Sequence, residues 1–198
     1  MASPAQAAAL VFASDPRWAA MVPLRSDLIG ASMWYEASRG IDSFLVTIVA
    51  GSGDCMAGCI NQHRWMYKVD RDGNVALVGE EGDEVEISTP TPTDDPSNVQ
   101  VVLNAGPVCP VEQVPPDPDC DARAVANADV TLYAADGTEI ATATTGADGT
   151  VAFQVPAGAY YVLAQQVEGY MGTPDAQAFS TVGGDTVGLL MSYDTGIR

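Results

Sequence analysis

Apolar residues near the start of the chain recur at helical spacing. Ser3 followed by Pro4 is typical of a capped helix start, and an apolar, alanine-rich stripe follows it. Asp15-Pro16 then ends the pattern. These signals predict a helix over about residues 4–14, with a small-residue face that can pack closely against a sheet.

The pattern changes to strand-like alternation over residues 31–87. Trp65 and Tyr67 alternate there with polar neighbours, and Asp72-Gly73 is a hairpin signal. Four strands are predicted, at 33–37, 43–50, 63–69 and 74–78. One helix and four antiparallel strands make an α+β domain over residues 1–87. We expect the acidic run over residues 80–86 to follow its last strand as a solvated edge or a weak cation site.

Residues 88–98 are mostly Thr, Pro, Asp and Ser, which predicts a linker. Residues 99–198 then alternate in short runs separated by turn signals such as Asp136-Gly137 and Asp148-Gly149. About seven strands are predicted, at 99–103, 129–133, 139–144, 150–155, 159–165, 178–182 and 186–193. The predicted second domain, over residues 99–198, is an all-β sandwich.

Charge narrows the classes of partner. The chain has 8 basic and 26 acidic residues, a net charge of −18, so it repels nucleic-acid phosphates and anionic lipid surfaces. The sequence also lacks an apolar run of the roughly 18 residues that a membrane-spanning helix needs. We therefore expect neither nucleic-acid binding nor membrane insertion.

The cysteines fall into two local pairs, Cys55 with Cys59 and Cys109 with Cys120. Four cysteines allow three pairings, and this spacing favours the two local disulfides. Disulfides indicate an oxidising, extracellular compartment. Because the start has no basic region typical of a signal peptide, we interpret the chain as a mature form from which any export signal is missing.

Residues 124–193 resemble the carboxypeptidase regulatory-like domain, which is also called transthyretin-like or prealbumin-like. The resemblance is carried by the segments VANADV (125–130), ADGT (135–138), TTGADG (144–149) and VPAGAY (155–160). It implies a non-catalytic sandwich that accompanies secreted enzymes, forms surface stalks or binds partners. Related surface domains carry a Lys–Asn crosslink. The only lysine here is Lys68, in the other predicted domain, so the sandwich cannot carry that bond.

The first half is similar to a segment found in exported bacterial proteins of unassigned role. The segments GDCMAGCINQH (53–63) and YKVDRDG (67–73) carry this resemblance, together with the terminal YDTGIR (193–198). It implies no activity.

Three groups of residues are candidates for chemistry. Cys55, Cys59 and His63 have the spacing of a zinc or reactive-thiol centre, unless the two cysteines are oxidised. Acidic residues at alternate positions can hold calcium, and their alternative is a plain solvated turn. These residues are Asp70 and Asp72 in one loop and Asp117, Asp119 and Asp121 in another.

Aromatic residues form the third group. Trp34, Tyr35, Trp65 and Tyr67 stand on neighbouring predicted strands, either as a platform for sugar or proline-rich peptide or as the core beneath the helix. Ligand contacts are expected at Trp34, Trp65 and Tyr67. In the sandwich, Tyr160 and Tyr161 must point to opposite faces, so one of them is expected to be exposed.

Together these features predict a non-catalytic secreted or cell-surface protein, structural or adhesive, that serves as a subunit of an extracellular assembly or filament. The expected partner is another copy, paired through β-strand edges or donated termini. Two alternatives stay open. The first is a sugar- or peptide-binding module on the Trp34/Trp65 sheet, and the second is a thiol or metal centre at Cys55, Cys59 and His63. No cofactor is expected apart from calcium.

Overall fold

The computed structural model describes residues 3–24, 30–56, 59–110 and 117–197. The predicted N-terminal helix is confirmed as α1, Pro4–Ser14. The Ser3 hydroxyl accepts a hydrogen bond from the Gln6 amide at 3.1 Å and so caps its first turn. Asp15 follows α1, and its carboxylate caps a single 3₁₀ turn at Pro16–Trp18.

Four antiparallel strands form the N-terminal sheet, in the order β1-β2-β3-β4. They are β1 (Met33–Arg39), β2 (Ser43–Ser52), β3 (Asn61–Asp70) and β4 (Val75–Gly82). The α+β prediction is therefore confirmed. Glu80 and Glu81 lie within β4 instead of after it, because β4 extends four residues beyond its predicted end to pair with β3.

The rest of the chain folds as a two-sheet sandwich. Its strands are β5 (Ser97–Gly106), β6 (Arg123–Ala124), β7 (Asp129–Ala134), β8 (Glu139–Thr144), β9 (Thr150–Val155), β10 (Gly158–Ala164), β11 (Gln177–Thr181) and β12 (Thr186–Asp194). The first sandwich sheet has the order β11-β10-β7-β8. In the second, β5 lies between parallel β12 and antiparallel β9 and β6. The predicted sandwich is confirmed, with two-residue β6 as an addition.

Helix α1 lies between the N-terminal sheet and the first sandwich sheet. The helical residues Ala7, Ala8 and Val11 are fully buried, in one apolar cluster with side chains of both sheets. Small side chains let the helix approach both surfaces closely, so this cluster forms a core that the two halves share. A second core lies between the two sandwich sheets.

The shared core overturns one expectation for the sandwich. Tyr160 and Tyr161 do point to opposite faces, but both are buried, at 7% and 8% exposure. Tyr160 packs in the core between the two sandwich sheets, and Tyr161 packs in the shared core. The prediction of an exposed tyrosine was wrong because the outer face of β10 is covered by α1.

The predicted linker is attached to the sandwich rather than free. The backbone amide of Thr93 donates to the Val182 carbonyl at 2.6 Å, and β5 begins at Ser97. Just before the linker, Val85 and Ile87 pack against the shared core. The division at residues 87 and 99 stays a prediction, since both halves contribute side chains to one core.

Candidate functional site

All four cysteines are bonded, including the two candidate thiolates of the predicted thiol or metal centre. Cys55 and Cys59 have their sulfurs 2.20 Å apart, and those of Cys109 and Cys120 are 2.05 Å apart. These are the two local disulfides expected from the spacing. A bonded sulfur supplies no thiolate, so the predicted thiol or metal centre with His63 is not formed in this structure.

His63 makes contacts that tie neighbouring strands together. Its Nδ1 lies 2.6 Å from the Asp83 carbonyl oxygen and its Nε2 lies 3.0 Å from a carboxylate oxygen of Glu80. The ring also lies over Trp65, with 4.2 Å between ring centroids. The imidazole therefore joins β3 to β4 and the turn that follows it.

The carboxylates predicted to bind calcium serve their own turns. Asp70 accepts hydrogen bonds from the Asp72 amide and from the backbone and side-chain nitrogens of Asn74, at 2.7–2.9 Å. The bonds from Asn74 lower the pKa of Asp70. Asp117 accepts from the Asp119 amide at 3.0 Å and caps a short 3₁₀ turn. Among the residues described, no three His, Cys, Asp or Glu side chains are placed to share a metal ion, so Asp70, Asp72, Asp117, Asp119 and Asp121 are not brought together.

The predicted aromatic platform is divided between two faces of the N-terminal sheet. Register places Tyr35 beside Ile48 and Trp65, on the face that packs against α1. Trp34 pairs with Val49 and Arg64, so it lies on the opposite face. The expectation that Trp34 and Trp65 form one ligand surface was therefore wrong, because successive residues of a strand point to opposite faces of the sheet.

The other two aromatic residues belong to the shared core. Trp65 and Tyr67 are only 3% and 4% exposed. The Trp18 indole packs on Trp65, with ring centroids 5.0 Å apart, and donates to the Tyr67 hydroxyl at 3.0 Å. Tyr67 is thus used for packing and hydrogen bonding inside the protein rather than for a ligand.

The N-terminal half covers one edge of the sandwich, at strand β11. The Tyr35 hydroxyl donates to the Ala178 carbonyl and accepts from the Ala178 amide, each at 3.0 Å. Two residues along β11, the Ser180 amide donates to the Met21 carbonyl at 2.8 Å. We call this contact the capped edge. It satisfies backbone groups that would otherwise be available to another strand.

Burial changes the pKa of the tyrosine at the capped edge. Burial raises the pKa of the Tyr35 phenol to about 12, and the hydrogen bond with Ala178 only partly opposes that rise. The neutral hydroxyl is therefore the form that the folded protein holds, and it is the form that can both donate and accept.

A buried polar cluster closes the end of the sandwich next to the capped edge. The hydroxyls of Ser97 and Thr181 both donate to the Asp185 carboxylate, which links β5, β11 and the turn before β12. Burial alone would raise the pKa of Asp185, but these hydrogen bonds outweigh it and leave the pKa below the ordinary aspartate value.

The remaining edges of the sandwich differ in how far they are covered. Along β12, the Leu190 carbonyl accepts from the Gln177 side chain at 2.7 Å and the Asp194 carbonyl accepts from the Met171 amide at 2.8 Å. Strand β8 is the outer strand of the first sandwich sheet, opposite the capped edge, and pairs there with β7. Within β8, Ile140 is 49% exposed.

Part of the second half matches a known protein family. The SpaA family model, described as a prealbumin-like fold domain, matches residues 118–186. This supports the transthyretin-like resemblance in its broader, prealbumin-like form. The narrower carboxypeptidase regulatory-like assignment and the resemblance of the first half stay predictions. No curated protein matches the chain.

The solved structures that are similar to the chain include a Bacillus anthracis protein and a streptococcal pilin. The Bacillus anthracis TIE protein is 15% identical, with a TM-score of 0.39, over 86% of this chain and 32% of its own length. GBS52, the minor pilin of Streptococcus agalactiae, is 11% identical, with a TM-score of 0.41, over 75% of this chain and 68% of its own. The chain thus spans about a third of the TIE protein.

Within the described ranges, no helix has the length and apolar character needed to cross a membrane. The helix and the four-stranded sheet of the first half form an α+β unit. The second half of the chain is a prealbumin-like β-sandwich.

Proposed function

We propose that this chain is a non-catalytic structural or adhesive subunit of an extracellular or cell-surface assembly. The observation that carries the proposal is the shared core around α1. Ala8 and Val11 are fully buried between the two halves, so the helix joins the N-terminal sheet to the sandwich as one body. A rigid body built in this way suits a spacer that must hold its shape.

Two further observations support an extracellular location. Both cysteine pairs are bonded over short sequence separations, of 4 and 11 residues. Disulfides of this kind persist in oxidising compartments and are rare where thiols are kept reduced. The family match over residues 118–186 is compatible with such a location.

The use of the reactive side chains supports a non-catalytic role. His63 joins β3 to β4, and Asp70 closes its own hairpin turn. Asp185 is held by the hydroxyls of Ser97 and Thr181 at the end of the sandwich. Each group is engaged in contacts that stabilise the fold, and the two hydroxyls that bond Asp185 are buried, at 0% and 1% exposure.

Strand β8 is a sandwich edge suited to pairing with a second copy. It has the sequence EIATAT, with one charge and neither the lysine nor the proline that commonly protects an edge strand. In an antiparallel pair of two β8 strands, Glu139 of one copy lies opposite Thr144 of the other, so the two carboxylates are kept apart. We propose this pairing as the contact between copies.

A matched pair of variants tests the assembly. Ile140→Lys places a charge on the β8 edge, whereas Ile41→Lys makes the same change in the β1–β2 turn, where Ile41 is 89% exposed. We expect the parent chain and Ile41→Lys to associate at high concentration and Ile140→Lys to stay monomeric. Sedimentation velocity over a dilution series measures this. A parent chain that is monomeric at every concentration, or two variants that behave alike, would contradict pairing through β8.

A further inference from the structure

A groove runs past the N-terminal end of α1, between the turn of the β3–β4 hairpin and the first sandwich sheet. Its central section has a volume of about 730 Å³. Sections of about 340 and 210 Å³ adjoin it, the first sharing Leu163 with it and the second sharing Gln6 and Asp136. We call the three sections together the helix-end groove. These shared lining residues place the three sections side by side in one groove.

The floor of the helix-end groove is apolar and aromatic. Tyr133 and Tyr161 stack with their ring centroids 5.0 Å apart and their planes at 11°. Leu163 and Ala176 continue the floor along the sandwich. Tyr161 is only 8% exposed, so it holds the partly exposed Tyr133 ring in place, and the Tyr133 ring is the preorganised surface offered to the aliphatic part of a ligand.

The rim of the groove carries mainly negative charge. Asp72, Asp136 and Asp175 line its three sections. Among the described residues that line the groove, the cation is Arg71, whose guanidinium donates to the Ile41 carbonyl at 2.7 Å and lies 3.8 Å from Asp42. Arg71 is therefore engaged with the neighbouring β1–β2 turn, and the three carboxylates outnumber it among the described residues of the lining.

Two of these carboxylates come from different halves of the protein. Asp72 stands in the turn of the β3–β4 hairpin and Asp136 in the turn between β7 and β8, yet both line one section. Like charges that line one cleft repel each other, and a cation placed between them removes that cost. The N-terminus of α1 adds partial positive charge nearby, but Ser3 already caps the Gln6 amide there.

We propose that the helix-end groove binds an extended segment of a partner protein that carries lysine or arginine side chains. The aliphatic stems of those side chains lie on the tyrosine floor, and their charged ends reach the rim carboxylates. The net charge of −18 favours the approach of such a segment. This proposal goes beyond the structural role and does not depend on pairing through β8.

The probe is an eight-residue peptide of alternating lysine and alanine, labelled with fluorescein and titrated with the intact chain at low and at physiological salt. The test variant is Asp136→Asn and the matched control is Asp148→Asn. Both aspartates stand in Asp-Gly turns and accept a hydrogen bond from the amide two residues on, at 2.8 and 3.1 Å. Each variant therefore removes one charge and perturbs one turn in the same way, but only Asp136 lines the groove.

We expect Asp136→Asn to weaken peptide binding about three- to fivefold and Asp148→Asn to weaken it less than twofold. Tyr133→Ala removes half of the stacked floor and weakens binding about fivefold, whereas Tyr133→Phe retains binding. Thermal melts confirm that each variant is folded before it is titrated.

Several outcomes overturn the proposal. If Asp136→Asn and Asp148→Asn weaken peptide binding by the same factor, the peptide is attracted by the net charge of the chain alone. If an alternating serine–alanine peptide binds as tightly as the lysine–alanine peptide, the groove does not select cations. Complete displacement of the peptide by one equivalent of calcium, with calcium binding lost in Asp136→Asn, means a metal site in place of a peptide site.

Discussion

Replacement of Phe12 by alanine lowers the free energy of unfolding of the whole chain by about 3–5 kcal/mol. Phe12 is 3% exposed, and its ring meets that of Tyr35 edge-on with 5.1 Å between centroids. It belongs to the cluster in which α1 contacts both the N-terminal sheet and the sandwich. Loss of the ring leaves a cavity in the shared core, so both halves lose stability together.

Urea unfolding followed by circular dichroism measures this loss, with Ile41→Ala as the control. Ile41 is 89% exposed, so the control changes the free energy of unfolding by less than about 0.5 kcal/mol. If Phe12→Ala moved the unfolding of the N-terminal half alone and left a sandwich transition at its original urea concentration, the shared core would be contradicted.

The second large effect is expected at the capped edge. Tyr35→Phe removes one hydroxyl and leaves both the amide and the carbonyl of Ala178 without their partner. Two buried backbone groups lose a hydrogen bond, so the free energy of unfolding falls by about 1–3 kcal/mol. Tyr170→Phe is the control, because the Tyr170 hydroxyl makes no hydrogen bond within the described part of the chain.

The same variant changes the alkaline limit of stability. Burial raises the pKa of Tyr35 to about 12, against about 10 for an unfolded tyrosine. Below pH 10 both states hold the proton and stability is unaffected. Between pH 10 and 12 the unfolded chain loses it first, so stability falls by up to about 1.4 kcal/mol per pH unit.

Tyr35→Phe lacks this contribution, so its stability declines less steeply above pH 10 than that of the parent chain. The comparison must be made as a difference, since burial also raises the pKa of Tyr67, Tyr160, Tyr161 and Tyr193. Urea midpoints measured from pH 8 to pH 11.5 give both curves. Curves that run parallel over this range would show that the Tyr35 hydroxyl is not held as described.

Local signals in the sequence were sufficient for several elements. The predicted helix coincides with α1 because Ser3, Pro4 and Asp15 define its two ends within a few residues. Strands β8 and β9 have their predicted bounds because Asp136-Gly137 and Asp148-Gly149 fix the turns that precede them. In both turns the glycine has a positive φ, of 92° and 73°.

Other features depend on contacts between distant parts of the chain. Alternation shows that Tyr160 and Tyr161 face opposite ways but not that α1 covers the outer face. Likewise, Trp34 and Trp65 can be placed on opposite faces only when the register through Val49 and Ile48 is known. The parallel pairing of β12 with β5 has no local signal, because it joins residues about ninety positions apart.

Local sequence patterns predict the capped edge and the helix-end groove least well. Tyr35 bonds Ala178 over a separation of 143 residues, and the groove joins Asp72 to Asp136 across the two halves. No motif marked Tyr133 or Asp136 as a ligand-binding residue. What the sequence did show was the Asp-Gly turn that places Asp136 at the end of a strand.

Because α1 packs against both sheets, the N-terminal half and the sandwich should unfold as one cooperative unit. All three tryptophans, Trp18, Trp34 and Trp65, lie in the N-terminal half, so their fluorescence reports that half, whereas far-ultraviolet circular dichroism is dominated by the strands of both. Urea unfolding of the disulfide-intact chain, followed by both signals, is the most direct test. We predict coincident transitions with one midpoint. A fluorescence transition that is complete while most of the circular dichroism signal persists would contradict the claim.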